Sequence, residues 1–441
     1  MKIQPASAAF TVVLGFLAAV PYSGIDINLP ALAATGAALG ASPSHVGLTM
    51  SAFMLSLAIA PLLYGPISDR VGRKPVIVFG LVLLVIASLA CAAAQSLPML
   101  LICRAIQGIG AAGTTTIFAI IRDLFDEASG RAKIGSVMIA INVVTVIAPT
   151  AGAALLAIGG WRLIYVVQAA AGLILIPTVL WGLAESAKLD AANRIAASTV
   201  VKDYLRIVTH PVSMAFILVG AAAGSAVFAY VTGSSLYFIS VAGLQPQQYG
   251  MIFSACSGAV MFGAFLDGRL GRRGVAPADV LTVGLVVLFV ASGTMLVTTL
   301  AGLSAPALVT ALLMVVALAF GLSMPNLMNA TMQPLPDIAG AVSAAAGTVQ
   351  MSSGAIASGL VALLFDGRSA LSMAAVMAAT TLLALTLYLR FARSAGRRSQ
   401  RETTVVTEGT TQIVAVGSGL CRRLRPSTCA DGNRRTVPDD L

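Results

Sequence analysis

Two ionisable side chains of this 441-residue chain, Asp26 and Arg104, lie inside segments that are otherwise free of charge. A charged side chain at bilayer depth costs at least ~2.5 kcal/mol on insertion scales, so each is a functional-site hypothesis by default. If the chain starts in the cytoplasm, a helix entering near Phe10 reaches Asp26 after about 24 Å, and a helix entering from outside near Pro98 reaches Arg104 after about 9 Å. Both side chains therefore fall in the outer part of a hydrocarbon core ~30 Å thick.

Reversible proton binding is the chemistry that this pair could perform. A nearby guanidinium would favour ionised Asp26, whereas loss of hydration would favour the protonated form, so a small structural change could move a proton. We expect Asp26 to take up a proton from outside when its contact with Arg104 loosens, and to release it inside after the protein changes conformation. A static ion pair that only sets helix packing is the alternative.

The elements that must position these residues are membrane-spanning helices. Hydrophobic residues make up 58% of the chain and charged residues 10%, with a mean hydropathy of +0.93, whereas soluble domains carry roughly 25% charged residues. A spanning helix needs ~20 mostly apolar residues, and the stretches 27–68, 207–266 and 280–336 are long enough for two each. The total is twelve helices, the first of them uncleaved. Because no strand pattern is present, an all-α membrane protein is expected.

The distribution of Lys and Arg predicts the orientation. With both termini in the cytoplasm, Arg104 is intramembrane, Arg162 and Arg368 lie outside, and the other 24 of the 27 cations lie inside, as the positive-inside rule requires. The net charge of +10 then reflects topology and contact with the lipid bilayer, and binding of nucleic acid is not expected. The expected location is the cell (inner) membrane.

A short charged turn joins the predicted second and third helices. Its chemically distinctive residues are Gly65, Asp69, Arg70, Gly72, Arg73 and Lys74. We expect Asp69 to cap the start of the third helix or another helix and to lock the cytoplasmic side closed. Arg70 and Arg73 are expected to pair with acidic partners. A plain topological anchor is the alternative.

The order Gly, Asp, Arg, Gly, Arg recurs about 200 residues later, at Gly263–Gly274. Transporters are often built from repeats with a site at the repeat interface, so the recurrence predicts two six-helix halves. We expect an N-terminal bundle at 1–184, a cytoplasmic linker loop at 185–211, a C-terminal bundle at 212–393 and a disordered basic cytoplasmic tail at 394–441.

Two of the motifs resemble signatures of a known family. The turn Gly65–Lys74 resembles the loop signature of the major facilitator superfamily. The stretch "RAIQGIGAAG", which contains Gln107, Gly108 and Gly110, is similar to the helix 4 signature of the same superfamily. Small residues at these positions let helices pack closely.

The fifth predicted helix carries "VIAPTAGAAL", which is similar to the Gly-Pro-x-x-Gly-Gly signature of the drug exporters in that superfamily. Pro149 and Gly152 match the signature, and Ala148 and Ala153 depart from it. Pro149 removes a backbone donor and permits a bend. By resemblance the bend would seal the cavity against proton leak, and close helix packing is the alternative.

Within the superfamily, "IDINLPAL" and "FAIIRDLF" resemble the Bcr/CflA drug-resistance exporters, and the likeness covers roughly residues 8–393. The resemblance implies two six-helix bundles around a central cavity that opens alternately to each side. It also implies proton-driven export of small, mostly apolar compounds by a monomer.

The substrate cavity is expected to mix aromatic faces with polar atoms. Candidates for its lining are Tyr22, Phe53, Tyr64, Phe118, Asn142, Tyr230, Tyr237, Asn326 and Asn329. For each of them, helix packing or interfacial anchoring is the alternative. A single intramembrane carboxylate favours neutral or singly charged amphipathic substrates over dications.

Enzyme chemistry finds little support in the sequence. His45 and His210 fall in predicted loops, the five cysteines have no C-x-x-C spacing, and a Gly-rich phosphate loop is missing. No metal or cofactor is therefore expected, and the proton gradient is the expected energy source. Two other interpretations stay open, namely a proton-coupled importer of a nutrient with the same fold, and a membrane sensor or intramembrane enzyme.

Overall fold

The computed structural model describes residues 3–186 and 197–392, so the predicted tail at 394–441 lies outside the described residues. The described chain is built from helices. In chain order they are α1 Ala8–Leu39, α2 Pro43–Val71, α3 Arg73–Ala92, α4 Leu97–Leu124, α5 and α6 within Glu127–Pro177, α7 Ala197–Thr209, α8 Pro211–Val241, α9 Pro246–Arg272, α10 Pro277–Leu300, α11 Pro306–Met332, α12 Pro336–Leu363 and α13 Leu371–Phe391.

Proline and short hydroxyl side chains set many of the helix starts. Ser7 accepts a hydrogen bond from the Phe10 N–H at the start of α1, and Ser42 does the same for the His45 N–H at the start of α2. Proline opens several other helices, because its missing N–H would have no partner in the first turn anyway. The prolines at these first positions are Pro43, Pro211, Pro246, Pro277 and Pro306.

The segment that holds α5 and α6 crosses the bilayer twice. Its helix is interrupted at Gly159 (φ −144°, ψ 16°) and Gly160 (φ 74°, ψ −178°), and the positive φ of Gly160 is a conformation that glycine adopts without a steric penalty. We place α5 at 127–158 and α6 at 161–177, with a π turn at Thr178–Gly182. Among the described residues, the eleven long apolar helical segments therefore make twelve crossings, and the predicted helix count is confirmed.

Helix α1 is broken directly after Asp26. Its α-helix runs over Ala8–Asp26 and is followed by a short 3-10 turn, Leu29–Ala31, before helix resumes. The side-chain amide of Asn28 donates to the Gly24 carbonyl at 3.0 Å, and Pro30 has no N–H to offer. The break places the carboxyl of Asp26 at the end of a helix rather than along its side.

The helices form two bundles, α1–α6 and α8–α13. The helix ends of both bundles lie at two faces of the protein. The basic face is the end that carries Arg70–Lys74, Lys133, Glu185 and Arg269–Arg273, and the opposite face is the other end. The segment expected as a linker loop contains the amphipathic helix α7. Its Ile207 is buried among residues of the second bundle such as Val342.

The two bundles meet near the opposite face. Helix α2 packs against α12 and α5 packs against α9. The Ser51 hydroxyl donates to the Ser358 hydroxyl at 3.1 Å, and the Thr150 and Ser254 hydroxyls are 3.1 Å apart. These four residues lie within about 12 Å of the helix ends at the opposite face, at 1.5 Å per residue. The described conformation is therefore closed at that face.

Candidate functional site

Asp26 is a buried carboxylate at the interface between the bundles. Its side chain is 6% exposed, and it is the one fully buried carboxylate among the described residues. The hydroxyl of Thr145 on α5 faces it. Across the interface its carboxyl acts electrostatically on the phenols of Tyr230 on α8 and Tyr249 on α9. Asp26 thus lies where a relative movement of the two bundles changes its surroundings.

Arg104 is a fully buried cation beside the break in α1. Its Nη1 donates to the Gly24 carbonyl at 3.1 Å and to Gln107 Oε1 at 2.6 Å, and its Nη2 points at Met50 Sδ at 3.5 Å. The guanidinium lies 4.2 Å from the centre of the Phe53 ring, an arrangement in which the ring face attracts the cation. Arg104 is therefore held by a carbonyl, an amide and a ring.

The expected contact between Asp26 and Arg104 is not made in this conformation. No ion pair within 4.0 Å joins them among the described residues. Arg104 Nη1 instead donates to the Gly24 carbonyl, two residues before Asp26. Arg104 therefore holds the backbone two residues before Asp26 without pairing with its carboxylate. Burying an ionised group without a counter-charge is costly, so the neutral carboxylic acid is the favoured form of Asp26 here.

Two polar partners of this site were missed by sequence reasoning, namely Ser88 on α3 and Gln168 on α6. Both accept a hydrogen bond at 2.7 Å from the side-chain amide of Gln107. Their signal in the sequence is weak but present, because Gln168 is the single amide side chain in the charge-free stretch 163–184. A polar side chain in a membrane helix usually faces another helix.

Aromatic side chains of the second bundle face Asp26. Tyr230 stacks on Phe253 with ring centres 5.4 Å apart and an interplanar angle of 16°, and Tyr249 meets the same Phe253 ring edge-on at 6.1 Å. The Tyr230 hydroxyl is buried beside the Cys256 thiol. Of the predicted cavity residues, the structure brings Tyr22, Phe53 and Tyr230 to the Asp26–Arg104 region.

The remaining cavity candidates lie in other contacts. Asn326 donates to Asp267 Oδ1 at 2.5 Å near the basic face, so it belongs to the repeated charged turn of the second bundle rather than to the Asp26 region. The Asn142 amide donates to the Met138 carbonyl of its own helix at 2.9 Å. Of the others, Tyr64 is buried, Phe118 is half-buried, Tyr237 donates to the Ser304 carbonyl and Asn329 is exposed.

The motif glycines of α4 and α5 lie where helices approach each other at backbone distance. A Cβ on Gly108 would meet the Phe53 backbone of α2, and one on Gly110 would lie 2.5 Å from the Leu84 N of α3. A Cβ on Gly152 would lie 2.9 Å from the carbonyl carbon of Ile27, at the break in α1. One turn earlier on α5, the carbonyl of Pro149 lies against Gly250 of α9. The helix 5 motif therefore packs against the break in α1 on one side and against α9 of the second bundle on the other.

The charged turn at the basic face is organised around Arg73. Its side chain is buried and pairs with Asp69 at 2.5 Å and with Asp123 of α4 at 3.0 Å. It also donates to the Ser68 hydroxyl at 2.6 Å. Arg70, by contrast, is exposed and makes no ion pair among the described residues. The expected acidic partners therefore exist for Arg73 and not for Arg70.

The cap of α3 differs from the expectation. Glu185, at the end of the first bundle, accepts hydrogen bonds from the backbone N–H groups of Arg73 at 2.8 Å and Lys74 at 3.1 Å. A carboxylate at a helix N-terminus is stabilised by the free N–H groups and by the helix dipole. Asp69 was expected to cap the third helix or another helix; Glu185 caps the third helix instead, and Asp69 pairs with Arg73. Gly65 has open space around it.

Gly72 must be glycine for two reasons. Its φ of +111° lies in a region that residues with a Cβ rarely adopt, and a Cβ there would lie 2.6 Å from Glu185 Oε2. The ammonium group of Lys74 closes the same corner by donating to the Leu183 carbonyl at 3.1 Å. The hydrogen bonds and ion pairs of this turn connect α2, α3, α4 and the end of the first bundle at the basic face.

Two six-helix bundles in a membrane, with buried ionisable groups at their interface, define a polytopic membrane carrier. The chain belongs to the Major Facilitator Superfamily, whose family model matches residues 12–358. It is similar to a bicyclomycin resistance protein homolog of Haemophilus influenzae, at 24% identity over 82% of this chain and 91% of that protein. It is also similar to the multidrug resistance protein MdtL of Salmonella dublin, at 29% identity over 55% of this chain and 61% of that protein.

Solved structures support the fold. The chain is similar to a bacterial homolog of the human lysosomal transporter Spinster in an inward-facing and unoccupied conformation. The TM-score is 0.69 at 16% identity, covering 88% of this chain and 98% of that chain. The fold expected from the sequence, two six-helix bundles of a multi-pass membrane protein, is confirmed.

Proposed function

We propose that this protein is a proton-coupled antiporter that exports small amphipathic compounds across the cytoplasmic membrane by alternating access. The single observation that carries the proposal is the placement of Asp26. Asp26 is a buried carboxylate at a helix break between the bundles, and no cation lies within 4.0 Å of it among the described residues. The buried Arg104 guanidinium binds the backbone carbonyl of Gly24, two residues away. The names of the relatives, which refer to bicyclomycin resistance and multidrug resistance, support drugs as the exported class.

The geometry supports a simple proton cycle. With Arg104 on the Gly24 carbonyl, Asp26 has no counter-charge and favours its protonated form. When α1 moves relative to α4, the guanidinium exchanges the Gly24 carbonyl for the Asp26 carboxylate, and the proton leaves. Because the segment after the α1 break contacts the second bundle, where the Ser235 hydroxyl donates to the Leu29 carbonyl, movement of that bundle during alternating access pulls α1 relative to α4.

The orientation follows from the basic face. With that face in the cytoplasm, as the positive-inside rule requires, both termini are cytoplasmic and the described conformation is closed to the outside. This conformation then corresponds to the proton-loaded protein, after the cavity has closed to the outside and before Asp26 releases its proton to the cytoplasm. The protein works as a monomer, and the proton gradient is its energy source.

The charge of the site restricts the substrate. A dication in the cavity would need more counter-charge than one buried carboxylate can provide. Neutral or singly charged amphipathic compounds fit a site that combines Asp26 with the Tyr230 and Phe253 rings. Robust export of a dication would contradict this restriction.

Transport into inside-out membrane vesicles, with the vesicle interior made acidic, tests the function. A panel of antibiotics and dyes should reveal compounds that the wild-type protein accumulates in the vesicles. Asp26→Asn should reduce this uptake to background, because the amide cannot carry the proton. Asp279→Asn is the matched control, since Asp279 is exposed in the first turn of α10, and it should transport as the wild type does. Full uptake by Asp26→Asn would refute the proposed role.

The same panel separates export from import. If the protein is an importer of a nutrient, right-side-out vesicles with an imposed gradient will accumulate substrate and inside-out vesicles will not. That result would reverse the direction of the proposal while leaving the Asp26 comparison valid.

A further inference from the structure

A directional chain of hydrogen bonds starts at Arg104 and crosses three helices of the first bundle. Arg104 Nη1 donates to Gln107 Oε1 at 2.6 Å, and Gln107 Nε2 donates to Ser88 Oγ and to Gln168 Oε1, each at 2.7 Å. All four side chains are buried, with exposed fractions from 0% to 9%. On the other side of the guanidinium, Arg104 Nη1 also donates to the Gly24 carbonyl, two residues before Asp26.

The chain fixes which way the Gln107 amide faces. A guanidinium can only donate hydrogen bonds, so Gln107 must turn its oxygen toward Arg104. Its NH₂ group then needs two acceptors on the far side, and Ser88 Oγ and Gln168 Oε1 supply them. Without the Gln168 oxygen, one N–H of Gln107 would be buried without a partner, which is unfavourable.

The orientation of Gln168 is set by Gln107 and not by its own needs. Gln168 Nε2 is buried and has no hydrogen-bond partner among the described residues. An unpartnered buried N–H is rare and calls for an explanation. If the Gln168 amide rotated by 180°, its NH₂ group would face the NH₂ group of Gln107. The Gln107 amide would then lose this acceptor, and its orientation toward Arg104 would no longer be fixed.

We propose that Gln168 is a positioning residue of the proton-coupling site, which acts through Gln107 to hold the Arg104 guanidinium on the Gly24 carbonyl and away from Asp26. This inference rests on the function proposed above. Without the Gln168 oxygen, Arg104 is freer to approach Asp26 and to stabilise its ionised form. Loading the proton then requires a higher proton concentration, so the pH midpoint of coupled transport moves toward acid.

The groups that face the site allow this pH dependence to be assigned. Those that face Asp26 are Tyr22 on its own helix, Tyr230 on α8 and Tyr249 on α9, with Arg104 on α4 as the charged neighbour. Those near Arg104 are Cys91 and Tyr165, and Cys103 is in contact with Cys91. Phenols and thiols ordinarily titrate above pH 8, so a midpoint between pH 5 and 8 reports Asp26.

The test measures the pH dependence of proton-driven uptake into inside-out vesicles, with a compound that the wild-type protein transports. Gln168→Leu removes the acceptor and should move the midpoint toward acid by about 0.5 to 1 pH unit, the size that one lost hydrogen bond allows. Gln168→Asn keeps an amide oxygen without adding a titratable group and should shift the midpoint less than Gln168→Leu does. Thr178→Val, in the π turn directly after α6, is the control, because the Thr178 hydroxyl donates to the Ile174 carbonyl one turn earlier in the same segment.

Ser88→Ala keeps the experiment decisive if Gln168→Leu does not fold. It removes the other acceptor of the same Gln107 amide with a minimal change of shape, and it should shift the midpoint in the same direction by a smaller amount. A wild-type midpoint in either acceptor-free variant, with or without a lower maximal rate, overturns the positioning role. Absence of proton-driven uptake in the wild-type protein would instead refute the proposed function, so the two failures are distinguishable.

Discussion

The close approach of α5 to the break in α1 makes Gly152 the most sensitive position of the helix 5 motif. In Gly152→Ala the new Cβ would lie 2.9 Å from the carbonyl carbon of Ile27 and 3.2 Å from its Cα, and nearer still to the carbonyl oxygen. Distances below 3.0 Å are essentially never seen for real Cβ atoms. The atoms it meets are backbone, so no side-chain rotation relieves the clash and the two helices must separate.

The magnitude follows from two opposing effects. Forcing extra volume into a packed interface costs about 1–3 kcal/mol, whereas Ala is favoured over Gly in a helix by up to ~1 kcal/mol. The net destabilisation of the described conformation is therefore about 1–2 kcal/mol, which shifts the balance between conformations by roughly 5- to 30-fold. Because Ile27 follows Asp26 directly, the displacement also disturbs the proton site.

Thermal unfolding of the purified protein and proton-driven vesicle uptake measure the two consequences. Gly152→Ala should unfold at lower temperature and transport poorly. Gly135→Ala is the matched control on the same helix, because a Cβ there meets no atom within 4 Å, and it should be neutral or slightly stabilising. If both variants behave alike, the close contact between α5 and the α1 break does not exist in the working protein.

Two further predictions concern the charged turn at the basic face, and both are read by thermal unfolding and vesicle uptake. Gly72→Ala combines a strained φ of +111° with a clash against the Glu185 carboxylate, so it should cost about 2 kcal/mol or more through strain and loss of the α3 cap. An unchanged melting temperature would contradict this. Arg73→Gln leaves Asp69 and Asp123 without their shared cation and should destabilise by about 2 kcal/mol, whereas the exposed Arg70→Gln should stay within about 0.5 kcal/mol of the wild type. Equal effects of the two substitutions would show that the corner is not built on Arg73.

The fold was accessible from the sequence because the bilayer permits few solutions. Twelve crossings follow from the lengths of the charge-free stretches, and the two-bundle arrangement follows from the repeated charged turn and the family signatures. The double crossing through Gly159 and Gly160 was also predictable, since Arg162 separates two charge-free stretches, 134–161 and 163–184, each long enough for one span. Helix α7 was missed, because the charge-free length that identifies membrane spans does not detect a charged amphipathic helix.

The candidate site was predicted in its residues and only partly in its contacts. Composition alone singles out Asp26 and Arg104, because an ionisable group in a membrane helix is rare. It could not predict that a backbone carbonyl, that of Gly24, would take the place of the carboxylate. The Gly24 carbonyl is available as a ligand because the helix breaks after Asp26, and this break packs closely against Gly152. The same limit explains why Glu185, distant in sequence, was not recognised as the cap of α3.

Proton movement by the purified protein is the most direct test of the central claim that Asp26 carries the coupled proton. Proteoliposomes with an imposed pH gradient and an enclosed pH-sensitive dye report proton flux when a transported compound is added. The wild-type protein and Asp279→Asn should dissipate the gradient in response to the compound, and Asp26→Asn should leave it intact. Equal compound-dependent proton flux through Asp26→Asn would contradict the claim and place the proton on another group.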